Sequence, residues 1–275
     1  MYQSALRRSP LKSTQRLLRT SSNKLAGKGE TVSTKEMEQF QKFVGEWWRP
    51  GGPYDSLRSM NELRVLLIQD MCYKQKRRNI EGSKPLKNFN ILDVGCGGGI
   101  LAEPLSRLGG TVTGIDPLEE NVQAAQKHAD QDPDIDSLTY QCTDIETISS
   151  DHPNHFDVVI ASEVLEHVNN PSIFVEACCN AVKPGGYIVL TTINRTLLST
   201  ALVKYMAEYV LRIVPENTHD ENKFVTPYEV TDMLRKGNMV DIKFKGMMLN
   251  PLTNQWSWTS IDLMNYACTA RKPVY

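Results

Sequence analysis

The run from Phe89 to Leu101 constrains this chain more tightly than any other stretch. Phe89-Asn90-Ile91-Leu92-Asp93-Val94 is short, apolar and rich in strand formers; it breaks into Gly95-Cys96-Gly97-Gly98-Gly99 and resumes at Ile100-Leu101 as the start of a helix-forming segment. The order reads as a first strand, a tight turn and a first crossover helix, the opening unit of an α/β sheet. Glycines are needed at such a turn because a side chain would keep the backbone away from a ligand and because some positions require positive φ. The N–H groups of the turn then face whatever binds.

A dinucleotide fingerprint would place its third glycine five residues beyond Gly95, and Ile100 stands there instead. The spacing is Gly-x-Gly-Gly-Gly, with Asp93 two residues ahead. Thr111-Val112-Thr113-Gly114-Ile115-Asp116 reads as a second strand ending in a carboxylate 21 residues beyond Gly95, where an acid can accept from both hydroxyls of a ribose. A strand-end aspartate is also a common helix N-cap; the two signals at this spacing are more specific than either alone.

Together they resemble the first motifs of the class I S-adenosylmethionine methyltransferases. The resemblance implies that Gly95 and Gly97 frame the cofactor, that Asp93 lies near its amino-acid end, and that Asp116 holds its ribose. That ligand carries an ammonium and a sulfonium and no phosphate, which suits an acidic site. It also implies an α/β Rossmann-like fold with a seven-stranded, mostly parallel sheet whose last strand is antiparallel. Later strands are expected at 137–141, 156–161, 187–192, 239–249 and 261–270, and the Lys183-Pro184-Gly185-Gly186 turn before the fifth is common across the superfamily. Asp144, after the third strand, is the candidate to hold the adenine amino group.

Strand four runs into Ser162-Glu163-Val164-Leu165-Glu166-His167. Read as a helix at about 100° per residue, this segment places Glu163, Glu166 and His167 on one face within an arc of roughly 100°, at the carboxyl end of a central strand where open α/β sheets bind ligands. Two carboxylates and an imidazole there could hold a divalent cation, Mg²⁺ by its oxygen ligands; His167 could instead be a metal-free general base; or the acids could simply favour a first helical turn. A cation would matter because a catechol hydroxyl, with a pKa near ~10, is a poor nucleophile until coordination lowers that value.

Ahead of the first strand, Thr34 to Trp48 reads as one amphipathic helix carrying Met37, Phe40, Val44 and Trp47, and a second runs from about Leu57 to Arg78 with Leu63, Leu66, Leu67 and Met71 on one face. Trp47-Trp48, Leu57-Arg58 and Asn61-Glu62-Leu63-Arg64 resemble the N-terminal region of the ubiquinone biosynthesis O-methyltransferases. Thr192-Ile193-Asn194-Arg195, the run from Pro215 through His219 to Phe224, and Asn250-Pro251-Leu252-Thr253-Asn254 resemble the same family. By that resemblance Arg64 reaches the cofactor carboxylate, Ser162 stands where bacterial relatives carry a methionine against the cofactor, and catalysis falls to Glu163 and His167. The implied acceptor is a polyprenylated phenol, with other coenzyme Q biosynthesis proteins as partners in a matrix-side complex. Asn194 and Arg195 could face the substrate cleft.

Composition sets bounds. A chain of 275 residues with 40% hydrophobic and 23% charged residues can bury a sizeable core. Net charge is −1, yet residues 1–29 carry seven basic residues and no acid, leaving −8 for the remainder. An acid-free, Ser- and Arg-rich segment with scattered leucines resembles a mitochondrial transit peptide, and the acidic remainder argues against nucleic acid. The domain division expected is therefore 1–29 targeting, 30–84 helical cover and 85–275 methyltransferase domain. Within the last, 197–225 is a helical insertion whose apolar face over 197–213 would cover the core or lie against membrane lipid. Six cysteines without a C-x-x-C spacing read as reduced core or loop thiols.

Overall fold

The computed structural model describes residues 29–76, 84–196 and 224–274. The basic N-terminal segment, Arg77, Arg78, the apolar 197–213 run and His219 lie outside the described residues. Five strands, β1 (Asn90–Val94), β2 (Thr111–Asp116), β3 (Leu138–Cys142), β4 (Phe156–Ser162) and β5 (Val182–Ile193), run parallel in the order β3-β2-β1-β4-β5. Three more complete the sheet: β6 (Val240–Asn250), β7 (Gln255–Thr259) and β8 (Asn265–Arg271), with β8 inserted antiparallel between β5 and β6 and β7 hairpinned onto β6.

That makes eight strands among the described residues, one more than expected. The addition is β7, reached where the chain reverses through Asn250 to Asn254 with Asn254 in a left-handed conformation (φ 53°). Its sequence signal is period-two alternation: Gln255 and Ser257 are exposed, while Trp256 and Trp258 pack against Met60, Leu63 and Met247.

Both faces of the parallel half are buried. Ile91, Val158 and Ile160 pack on one side against α2 (Asp55–Lys76), α3 (Ala102–Arg107) and α4 (Glu119–Ala129); Leu92, Val94, Val159 and Ala161 pack on the other against α5 (Ile145–Asp151), α6 (Pro171–Ala181) and α7 (Pro227–Lys236). Strands covered on both faces read as continuous apolar runs, which is how the parallel core announces itself in the sequence. Helix α7 begins with Thr226 and Glu229 forming a capping box and Pro227 at the first position.

Two expectations about the N-terminal helices need correction. Helix α1 covers Thr34–Gln41 only: Phe43 leaves helical geometry (φ −117°, ψ 10°) and a 3₁₀ turn over Val44–Glu46 follows, so Trp47 and Trp48 face the glycine turn instead of extending an apolar stripe. In α2, Leu63 and Met71 are buried, but Leu66 is 63% exposed. Five of the six cysteines are buried, and Cys142 is exposed. No helix among the described residues is long and apolar enough to cross a membrane.

Asp157, buried at the start of β4, ties the sheet edge together: it accepts from Asn90 N–H (2.9 Å) and Gln75 Nε2 (3.1 Å) and pairs with Lys183. Asp157→Ala removes the acceptor of the half-buried Asn90 N–H and the partner of Lys183 and should cost about 1–3 kcal/mol, read as a lower urea midpoint with an unchanged m-value; an unaltered midpoint contradicts this account.

Candidate active site

The glycine turn sits at the carboxyl end of β1, beside the point where the strand order reverses between β1 and β4. Gly95 (φ 70°) and Gly97 (φ 52°) both occupy the left-handed region. The turn closes because the N–H groups of Gly95 and Cys96 both donate to Ile115 O (2.8 and 2.9 Å). A Cβ at Gly95 would lie 2.6 Å from Val164, and one at Gly97 would lie 2.4 Å from the Trp47 ring, so the chain's own indole is what crowds Gly97. Trp47 stacks on Tyr54 (3.8 Å between centroids, 10°) and donates from Nε1 to Asn121 Oδ1 (2.9 Å); Trp48 donates to Gly98 O (2.8 Å). The turn is thus roofed by residues 47–54. Tandem tryptophans before a Pro-Gly-Gly break were the available signal, but no spacing rule points from Trp47 to Gly97.

A cavity of about 430 Å³ runs along this edge of the sheet. Arg64, 4% exposed, enters from α2 and donates to Ser162 Oγ (2.8 Å), Leu57 O (2.6 Å) and Asn61 Oδ1 (2.5 Å), while its Nε has no partner. Burial lowers its pKa to about 10, opposed by the charges of Glu163 and Asp93. Asp93 is 2% exposed with Oδ2 unpartnered; burial pushes its carboxyl up to about 7, with Arg64 pulling down and Asp116 pushing up. Asp116 is better provided for. Its Oδ1 accepts from Leu118 N–H (2.9 Å) and Asn121 Nδ2 (3.1 Å) and its Oδ2 from Gly97 N–H (3.0 Å), and these bonds offset in part the upward shift that burial imposes.

At the β4 and β5 end, the expected helical face is absent. Glu163 is in the left-handed region (φ 57°), and only Leu165–His167 is helical, as one 3₁₀ turn. Glu163 and Glu166 still come close enough to sense each other's charge. Burial first, and then Glu166, raise the Glu163 carboxyl well above its ordinary range, with the nearby Thr191 hydroxyl and the Arg64 charge only partly opposing. Glu163 Oε2 accepts from Asn265 Nδ2 (3.3 Å), Oε1 meets no donor at bonding geometry, and Glu166 Oε2 accepts from Thr192 Oγ1 (2.8 Å).

His167 turns elsewhere: its Nδ1 lies 2.9 Å from Glu36 Oε2 on α1. The three expected metal ligands therefore do not converge, and no group of three or more acidic, histidine or cysteine side chains among the described residues could hold a metal ion. The orphaned oxygen and mutual repulsion of Glu163 and Glu166 fit a divalent cation; the imidazole, committed to Glu36, does not. Asp144 lines the cavity and also has a backbone role. Its Oδ1 caps α5 through Thr147 N–H (2.8 Å) and its Oδ2 accepts from Gly29 N–H (2.9 Å), so at the cavity wall it organises backbone. Asn194 bonds Asp262 O and Arg195 pairs with Glu229, both away from the cleft.

Residues 92–190 match the methyltransferase domain family. The chain is 42% identical over 253 residues to the rat protein named ubiquinone biosynthesis O-methyltransferase, mitochondrial, covering 92% of this chain and 73% of that one. A ubiquinone biosynthesis O-methyltransferase of Bradyrhizobium diazoefficiens is 40% identical over 242 residues, covering 88% of this chain and 94% of the relative. The chain belongs to the ubiquinone biosynthesis O-methyltransferases. It is a methyltransferase whose methyl donor is S-adenosylmethionine, and its fold agrees: magnesium protoporphyrin IX methyltransferase from Synechocystis, solved with bound S-adenosylhomocysteine, superposes with a TM-score of 0.58 at 17% identity over 87% of this chain and 95% of that one. A second, from Aquifex aeolicus, gives 0.51 at 15% identity over 86% and 97%. For this family member the residues that no motif revealed are Glu36, Asn121 and Asn265, each brought in by tertiary contact.

Gly97→Ala forces a β-carbon into left-handed backbone, costing about 1–2 kcal/mol, and into the indole as well. The expected result is a lower Tm together with a shifted tryptophan emission as Trp47 is displaced; wild-type emission would show that the roof does not rest on this glycine.

Proposed function

We propose that this chain moves the methyl group of S-adenosylmethionine to a ring hydroxyl of a polyprenylated dihydroxybenzoate and of a demethylated ubiquinol. The observation that carries the donor assignment is the pair of buried, unsatisfied groups beside the glycine turn, Arg64 Nε and Asp93 Oδ2. An amino acid's carboxylate and ammonium complement that pair: the free Arg64 Nε–H donates to the first and the Asp93 carboxylate accepts from the second. Asp116 Oδ2 carries one hydrogen bond and keeps capacity for a ribose hydroxyl, while Gly95 and Gly97 let the turn pass close beneath. Ser162 holds Arg64 in place, and Asp144 fixes the backbone at the far wall.

Bound there, S-adenosylmethionine supplies an electrophilic methyl on a sulfonium. The acceptor lies at the β4 and β5 end, where Val168, Phe174, Ile193 and Phe224 give an apolar wall around Glu163, Glu166 and His167, suited to an aromatic ring with a polar edge. His167, engaged by Glu36 through Nδ1, has Nε2 as its remaining proton acceptor for the hydroxyl, and Glu163 accepts a hydrogen bond from the ring's second oxygen. A divalent cation held by Glu163 and Glu166 would relieve their repulsion and acidify the hydroxyl; turnover unchanged by chelator removes it from the reaction. The acid-free N-terminus supports a mitochondrial location, peripheral to the inner membrane on its matrix side and in company with other coenzyme Q biosynthesis proteins; mammalian relatives carry the word mitochondrial in their names, though the bacterial relatives are about as similar.

Glu163→Ala should abolish transfer to a short-tailed polyprenyl dihydroxybenzoate while leaving the calorimetric Kd for S-adenosylmethionine within about twofold of wild type; parallel loss of both would place Glu163 on the donor instead. Asp93 gives the pH test. With its carboxyl raised to about 7, it is neutral below that pH and cannot pair with an ammonium, so donor affinity should weaken by up to about tenfold per unit as pH falls below 7. Asp93→Asn should flatten this dependence, and an equally steep slope in that variant would overturn the assignment.

A further inference from the structure

Ahead of α1, residues 29–33 run as a strap between the start of α5 and the loop that leads into α6. On the α5 side, Gly29 N–H donates to Asp144 Oδ2 (2.9 Å) and Thr31 N–H to Glu146 Oε1 (3.0 Å). On the other side, Thr31 O accepts from Asn169 N–H (2.9 Å) and Val32 O from Asn169 Nδ2 (3.0 Å). The strap is neither helix nor sheet, so its place depends on the groups that bond its backbone from outside. Thr31 is only 2% exposed, and Thr31, Val32 and Ser33 all line the cavity.

We propose that residues 29–33 belong to the donor site, closing its adenine end, and that Glu146 is the positioning residue that holds them there. The inference rests on the donor placement proposed above. With the amino-acid end at Arg64 and Asp93 and the ribose at Asp116, the adenine extends past Asp116 towards Leu118, Thr143 and Ile145, which line the same cavity. The strap is bonded to the residues directly beyond that point. A purine is a flat, largely apolar body that gains from being shut away from water, and a wall is needed on the side that the sheet leaves open.

Glu146 does not itself line the cavity, so its effect on the donor passes through Thr31. An acid in the first turn of α5 already suits the helix dipole, but the dipole requires no contact with the strap and no burial. Glu146 makes that contact through Oε1 while Oε2 is buried without a partner, which a carboxylate left to face water would avoid. The bond to Thr31 is what this arrangement gains. Contact between strap and donor also has a reciprocal consequence: a ligand at the adenine end must hold the strap as firmly as the strap holds the ligand.

The test measures calorimetric Kd values in the full chain for two probes, S-adenosylmethionine and 5′-methylthioadenosine, which keeps the adenine and ribose and lacks the amino-acid end. Glu146→Ala should weaken both by the same factor, about tenfold, with Tm near wild type. Its kcat at saturating donor, with a short-tailed polyprenyl dihydroxybenzoate, should stay within about twofold, so that the loss falls on the donor KM. Glu146→Gln keeps an acceptor oxygen for Thr31 N–H and should recover most of the affinity. Asn169→Ala, at an exposed position on the opposite side of the strap, should weaken both probes in the same way. In wild type, 5′-methylthioadenosine should slow amide hydrogen exchange over residues 29–33, and this measurement carries the decision if Glu146→Ala does not fold. Unchanged Kd values in Glu146→Ala, a loss confined to S-adenosylmethionine, no recovery in Glu146→Gln, or exchange unaffected by 5′-methylthioadenosine overturns the inference. Asp93→Asn separates it from the placement beneath it, since that variant should weaken S-adenosylmethionine and spare 5′-methylthioadenosine. If Asp93→Asn spares both, the donor placement fails; if it behaves as expected beside an unaltered Glu146→Ala, the role of the strap alone fails.

Discussion

The site is organised around a charge imbalance held out of water. Asp93, Asp116, Glu163 and Glu166 are gathered at the carboxyl ends of β1, β2 and β4, and among the described residues lining the cavity Arg64 is the buried guanidinium set against them. Burial raises the carboxyl groups of Asp93, Asp116 and Glu163, and polar atoms on Arg64, Asp93 and Glu163 have no protein partner. Such a cluster is unfavourable on its own and favourable around a cationic ligand. A methyl donor with an ammonium and a sulfonium meets that requirement without a phosphate, which is why the turn can dispense with the third glycine of a dinucleotide site.

The same constraint explains the N-terminal segment. A glycine turn bare of side chains leaves a flat backbone surface at the sheet edge, and Trp47 covers it while bonding Asn121, the side chain that also donates to Asp116. Roof, turn and Asp116 are therefore one hydrogen-bonded unit. Glu36 extends the segment to the opposite end of the cavity, so an element that contributes nothing to the sheet touches both halves of the site.

Much of this was legible beforehand because it depends on short-range pattern. Apolar runs ending in Asp93 and Asp116 mark strands buried on both faces, and glycines mark a turn that must take positive φ. Thr226 and Pro227 mark a helix start. The misreadings share a different cause. Glu163 to His167 has good helical spacing, yet Glu163 N–H is taken by Thr191 O of the neighbouring strand (2.8 Å), and the residue turns left-handed instead of opening a helix. Leu66 fits the apolar stripe of α2 but lies off the line of contact with the sheet and with β7. The backbone bonds of Asp144, which accepts from Thr147 N–H and from Gly29 N–H 115 positions away in the chain, are likewise beyond the reach of local spacing.

Sequence by itself determined the fold class, the glycine turn with its two strand-end acids, and the acidic and imidazole residues after the fourth strand, because each is written in spacing over a few residues where backbone geometry is local. Only the tertiary structure decided what each of those side chains touches. Trp47 rests on Gly97, His167 turns to Glu36, and Glu163 and Glu166 are left facing each other. These are competitions among distant donors, acceptors and charges for a small number of buried positions, and their outcome depends on distances that a linear pattern does not contain.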